Sequence, residues 1–196
     1  MSDKKAHILD AVLSFLAHPT SKRPLSIANV AKATGMAKSS IYEHFTNKQS
    51  LVHAALCRLI DRNENTLINV EGFSDMSFSA AFSEHMHRFL ELSSNNEMMH
   101  NYMHHPLVQS MSESLKADLK SRVNDLTDTV HLRFKTILQK GIDEGVLNET
   151  VSHKRLQTVE SLVLGNVVAL SMPHNDWDVD ATVEDVLNSI IILYNH

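Results

Sequence analysis

Residues 38–48 read KSSIYEHFTNK, a short segment dense in groups that bind nucleic acid. Lys38, Ser39, Ser40, Tyr42, His44 and Lys48 all carry hydrogen-bond donors. Lys and Ser reach base edges or phosphates, while Tyr and His commonly reach phosphate oxygens. Ile41 and Phe45 lie four apart and so share one helix face. That face can hold the segment to a core while the polar face meets DNA. Glu43 is repelled by phosphate and is expected to point to solvent or to a basic neighbour.

A second cluster, EMMHNYMHHP, occupies residues 97–106. His100 and His104 lie at i, i+4, the spacing of paired metal ligands on a helix. Met98, Met99 and Met103 add soft sulfur, and sulfur with imidazole suits copper(I). Histidine alone suits zinc, nickel or a haem iron. The competing reading is packing. Met99 and Met103 share a face, and methionine adapts to irregular pocket walls. On that reading Phe89, Met99, Met103 and His104 line a pocket for an organic, largely apolar effector. His85 and His87 flank Met86 on the preceding helix. No HExxH occurs, no carboxylate stands at catalytic spacing beside His100 and His104, and no Ser or Cys nucleophile sits in a recognisable turn. The single cysteine, Cys57, is expected to pack inside a helix. The chain is therefore read as a non-enzyme without a cofactor.

The elements that position these groups follow from periodicity and breakers. Ile8, Val12, Phe15 and Leu16 mark a first helix over 4–17, which His18-Pro19 ends. Pro19–Pro24 is a loop. Ser26 caps a second helix, Ile27 to Thr34, and Gly35 suits the left-handed residue that closes it. A third helix covers 38–45. Asn47 caps a long fourth helix, 48–70. A loop at 72–77 precedes a fifth helix marked by Phe78, Phe82, Met86 and Phe89. A sixth, 97–105, is expected to stop at Pro106. Residues 107–143 are mostly helical, and 151–172 and 182–194 complete an all-α chain of about nine helices.

The net charge of −5 divides unevenly. Residues 1–50 hold seven Lys and Arg against three Asp and Glu; the remainder holds eleven against twenty. A basic head on an acidic body suits contact with phosphate by the head alone. One cysteine excludes an intrachain disulfide framework. The N-terminus lacks the apolar core of a signal peptide, and no apolar run approaches membrane-spanning length. A cytoplasmic chain with no membrane partner is expected.

Three short helices with a glycine turn between the second and third form a helix-turn-helix. The stretch LSIANVAKATGMAKSSIYEHFTNKQSLVHAAL, residues 25–56, closely resembles the DNA-binding domain of the TetR/AcrR family. Ser26, Ala31, Gly35, Tyr42, His44, Phe45, Lys48 and Leu51 match its pattern together. The resemblance implies that Ser26 bonds a phosphate from the second helix. It implies that Lys38, Ser39 and Ser40 face the major groove, and that Tyr42 and His44 clamp phosphates. Lys48 adds its charge to the positive end of the fourth helix. Ala37 stands where the family often has a capping Ser, trading a cap for a possible methyl contact to thymine. The Pro19–Pro24 loop is longer than usual, and its Lys22 and Arg23 can reach a further phosphate or the minor groove.

The resemblance further implies a DNA-binding domain at 1–47 and an antiparallel helical ligand-binding and dimerisation domain at 48–196. The penultimate helix is apolar around most of its circumference, and Ser161, Gly165 and Ala169 form a small-residue stripe. With the last helix it is expected to build a homodimer interface that includes Leu162, Gly165, Ala169, Val186 and Ile190. A dimer reads a palindromic operator. The expected function is a repressor released from its operator by a small-molecule effector. The alternatives are a metal- or haem-responsive regulator using residues 98–105, and an architectural DNA binder without an effector.

Overall fold

The computed structural model describes residues 3–18, 24–93, 102, 104–148, 152–170 and 178–195. Among them the structure is all-helical. Nine α-helices appear: α1 (Asp3–Ala17), α2 (Ile27–Thr34), α3 (Lys38–Tyr42), α4 (Lys48–Ile68), α5 (Phe78–Ser93), α6 (Pro106–Gln109), α7 (Glu113–Asp143), α8 (His153–Leu170) and α9 (Val179–Asn195). A 3-10 turn at Phe73–Asp75 joins α4 to α5. No described helix is long and apolar enough to cross a membrane.

The chain forms two compact units. The first comprises Met1–Arg62 with Asn95–Asp125, and the second Asn63–Ser94 with Leu126–His196. Helices α4 and α7 each contribute residues to both.

In the first unit, the apolar stripe of α1 (Ile8, Leu9, Val12, Leu13 and Leu16) is buried against Val30 and Ala31 of α2 and Ile41 of α3. Leu51, Val52 and Ala55 of α4 join that core, as do Val108 and Met111 beside α6. Asn47 accepts from the Ser50 N–H at 2.8 Å through its side chain, which caps α4 as the sequence implies. The second unit buries Phe78, Phe82 and Met86 of α5 with Phe134, Ile137 and Leu138 of α7. Val159 and Val163 of α8 and Val186, Ile190 and Tyr194 of α9 complete it. Its chain reversal after α7 needs Gly145, which sits at φ 72°.

Pro106 opens the short helix α6, one residue ahead of the helical stretch expected from 107. Its missing N–H costs nothing in the first turn, where that donor has no partner anyway. His105 caps the turn, its Nδ1 accepting from the Leu107 N–H at 3.2 Å. The long helix α7 starts at Glu113 and fills most of the helical stretch expected over 107–143.

Candidate nucleic-acid interface

The recognition segment is built by a turn that only a few residue types allow. Ser26 is extended, and its Oγ accepts from the Asn29 N–H at 3.1 Å. The hydroxyl proton is left to donate elsewhere. Nine residues later α2 closes on Gly35, which adopts the left-handed conformation at φ 67° and donates to the Ala31 carbonyl. A side chain there would be strained, so glycine sets the angle at which α3 departs.

Helix α3 is short and one-sided. Ile41 is fully buried and Phe45 nearly so. Phe45 N–H donates to the Ile41 carbonyl at 3.0 Å, carrying helical geometry one turn beyond Tyr42. The Lys5 ammonium lies 5.7 Å from the Phe45 ring centroid, a cation–π contact that ties α1 to this end. The opposite side is open. Lys38, Ser39, Tyr42 and His44 are exposed, and Ser40 is half-buried. Tyr42 is 55% exposed, unusual for a large aromatic ring that has a core within reach. Glu43 is exposed and points to solvent. Ala37 caps α3 in extended geometry with no side-chain hydrogen bond, as its type dictates.

Lys48 opens α4 and is half-buried. It lies close enough to His105 to lower that imidazole's pKa, a shift led by burial and added to by the lysine charge. A neutral His105 is the form that can accept at its cap. The start of α4 is pinned by Gln49, whose side-chain N–H donates to the Ser110 carbonyl at 2.9 Å. Further along, Arg58 donates to both oxygens of Asp10 at 2.9 and 3.1 Å, joining α4 to α1. These two contacts between segments far apart in sequence were not legible from motif spacing.

Residues 23–55 match the family model described as bacterial regulatory proteins, tetR family. That span is thus similar to a TetR-type regulatory domain. The matched span contains Ser26, Gly35, the exposed face of α3 and Lys48. The whole chain also shares the fold of solved TetR-family regulators. It resembles the fatty acid degradation regulator FadR of Bacillus halodurans at 16% identity and TM-score 0.65, covering 97% of this chain and 96% of that one. It resembles FadR of Bacillus subtilis, solved with stearoyl-CoA, at 18% identity and TM-score 0.57, covering 95% and 97%. A TetR-family regulator from Marinobacter aquaeolei VT8 is similar at 16% identity and TM-score 0.56, covering 95% and 94%. No curated protein matches the chain.

The other sequence-derived candidates are placed as follows. Phe89 is half-buried against the core of the second unit. His104 is exposed and belongs to the first unit. Met98, Met99, His100 and Met103 lie outside the described residues. The surface of the second unit carries an open groove of about 460 Å³ between Phe73 and the Leu132–Asp143 stretch of α7. On α8, Leu162 is half-buried and Gly165 exposed, while the Ala169 side chain lies outside the description. Val186 and Ile190 of α9 are turned into the unit's own core, at 2% and 0% exposure. Among the described residues, the large outward apolar side chains of the same two helices are Leu164, Val179 and Ile192, at 57%, 40% and 61%.

The second unit also buries a polar group. His85 is 1% exposed, edge-on to Phe134 with ring centroids 4.8 Å apart. Neither ring nitrogen makes a hydrogen bond of acceptable geometry, although the Leu67 backbone approaches. Burial pushes its pKa down to about 4, and Arg133 adds to the shift. The neighbours of His85 in sequence give no sign of this burial.

Proposed function

We propose that the chain is a homodimeric transcriptional repressor that a small-molecule effector releases from a palindromic operator. One observation carries the DNA-binding half of this reading. The donors Lys38, Ser39, Tyr42 and His44 stand exposed on a segment whose Ile41 and Phe45 are buried, within the span that matches the TetR domain. A buried apolar edge fixes the segment, so its donors need little ordering on contact with DNA. Ser26 and Lys48 flank it as phosphate anchors, and Ala37 leaves a methyl group at its start. The functional division we propose is a DNA-binding part at 1–47 and a ligand-binding and dimerisation part at 48–196.

A repressor of this kind needs two copies, because one recognition helix reads only a half-site. Leu164 and Ile192 supply exposed apolar surface for a partner on α8 and α9, beside Gly165 and Leu162. The effector is an organic molecule bound in the second unit, whose core includes Phe78, Phe82, Met86 and Phe134. Long acyl chains are the first to test, since one compared regulator was solved with stearoyl-CoA. Effector and operator then favour different conformers, so each weakens the other's binding. The chain is not an enzyme on this reading, and it works in the cytoplasm beside the chromosome.

Enrichment of bound DNA from a random duplex pool tests the proposal. The expected outcome is a two-fold symmetric motif occupied by two chains. Recovery of no preferred sequence at physiological salt would overturn it.

A further inference from the structure

We infer that the first unit contains a transition-metal site formed by His53 and Cys57 of α4 and Asp118 of α7. The three residues present one nitrogen, one sulfur and one oxygen within 4.8 Å of one another. His53 Nε2 lies 2.9 Å from Asp118 Oδ2. Cys57 Sγ is 3.9 Å from the same oxygen and 3.7 Å from His53 Nε2. In a tetrahedral zinc site, bonds of about 2.0–2.3 Å place neighbouring donor atoms roughly 3.3–3.6 Å apart. The triangle here already has nearly that size. Its short side is a His–Asp hydrogen bond, which opens by a few tenths of an ångström once a metal replaces the shared proton.

The placement is specific for these residues. His53 and Cys57 stand at i, i+4 and so project from one side of α4. Asp118 arrives from a helix 61 residues beyond Cys57. The donors are sheltered without being sealed: the His53 side chain is 17% exposed, Asp118 49%, and Cys57 is half-buried. Sulfur lies almost equally far from both imidazole nitrogens, at 3.7 and 3.8 Å, and Nε2 is the one that also faces Asp118. Burial pushes the Cys57 thiol up, and the metal must therefore displace its proton.

The surroundings can absorb the added charge. Arg122 donates to Asp118 Oδ2 at 3.3 Å and to Asp61 at 3.2 Å. When a divalent ion takes Asp118, the guanidinium retains Asp61. Three protein ligands leave a fourth position for water or another donor, the pattern of an open site. One nitrogen, one sulfur and one oxygen favour zinc over magnesium or calcium, which prefer oxygen alone. A bound ion would brace α4 against α7 inside the first unit. The site is separate from the His/Met segment at 98–105, and it does not depend on the proposed repressor function.

The test is calorimetric titration of the metal-free full chain with zinc, with cobalt(II) as an optical probe of sulfur ligation. The expected result is one ion per chain, a sulfur-to-cobalt charge-transfer band, and a higher melting temperature with zinc. Losing even an outer partner of a metal ligand costs about 10–100-fold in affinity. Cys57→Ser, His53→Gln and Asp118→Asn should therefore each weaken binding by at least about tenfold. Cys57→Ser should also abolish the band. His87→Gln and His104→Gln should retain both. Circular dichroism of each variant confirms that it folds. The proposal is overturned if the folded chain binds no zinc, or if binding survives Cys57→Ser and is lost in His104→Gln.

Discussion

Arg58 on α4 grips both carboxylate oxygens of Asp10 on α1, at 2.9 and 3.1 Å. The pair spans 48 residues of sequence and joins the helix that opens at Lys48 to the helix that supports α3. Both side chains are partly exposed, at 30% and 45%, so solvent screens the pair.

Breaking that pair should have a small but readable effect. Arg58→Ala should lower unfolding free energy by about 0.5–1 kcal/mol, the ordinary range for an exposed ion pair. The Arg58 hydrogen bonds hold the Asp10 carboxyl below the usual carboxylate range. A lowered folded-state pKa adds stability above the unfolded value, and that stability is lost as pH falls through the folded value. The gap between wild type and Arg58→Ala, measured by urea unfolding, should therefore be present at pH 7 and shrink below about pH 4.

Charged and uncharged phosphate contacts should separate by their salt dependence. Lys48→Ala should weaken binding to every sequence and reduce the slope of log affinity against log salt by about 1. Tyr42→Phe removes one hydroxyl and should leave that slope unchanged while weakening affinity. Anisotropy titrations between 50 and 200 mM salt distinguish the two. An unchanged slope in Lys48→Ala would contradict its role as a phosphate contact.

His85 should make the second unit acid-labile. Its folded pKa is pushed down to about 4 from an ordinary 6.5. The unfolded chain therefore takes up a proton that the folded chain refuses. Stability is complete above pH 6.5, falls between 6.5 and about 4, and levels off below. The displacement corresponds to roughly 3 kcal/mol. His85→Leu should flatten this part of the profile, because leucine has no proton to gain. Parallel loss of stability in wild type and variant across that window would remove His85 as the cause.

Gly141, near the end of α7, is the most tightly packed of the chain's described glycines. A Cβ there would lie 2.9 Å from Phe78 Cγ and from Leu147 Cδ1. Phe78 and Leu147 are themselves buried, at 0% and 1% exposure, and have little room to yield. Alanine gains about 1 kcal/mol of helix propensity, but overpacking costs about 1–3 kcal/mol. Gly141→Ala should therefore be destabilising overall, with thermal unfolding as the measurement.

Much of the recognition segment was legible because local physics determines it. Ser26 and Gly35 announce the ends of α2, and Ile41 with Phe45 announce the buried edge of α3. The ends of α4 and α9 followed from caps and periodicity to within a few residues. What escaped depends on distant contacts. Nothing in the sequence brings Asp118 to His53, or Ser110 to Gln49. Apolar periodicity on α9 also cannot distinguish a monomer core from a subunit interface. Val186 and Ile190 share the pattern of an interface residue, yet both close their own unit's core.

The central claim is that the exposed side of residues 38–44 reads DNA sequence. Affinity for the selected symmetric site and for a scrambled duplex, compared in wild type and Lys38→Ala, tests it most directly. The account predicts a wild-type preference of about 10³-fold or more at physiological salt, reduced at least tenfold by the substitution. Equal affinity of the wild-type protein for both duplexes would contradict it.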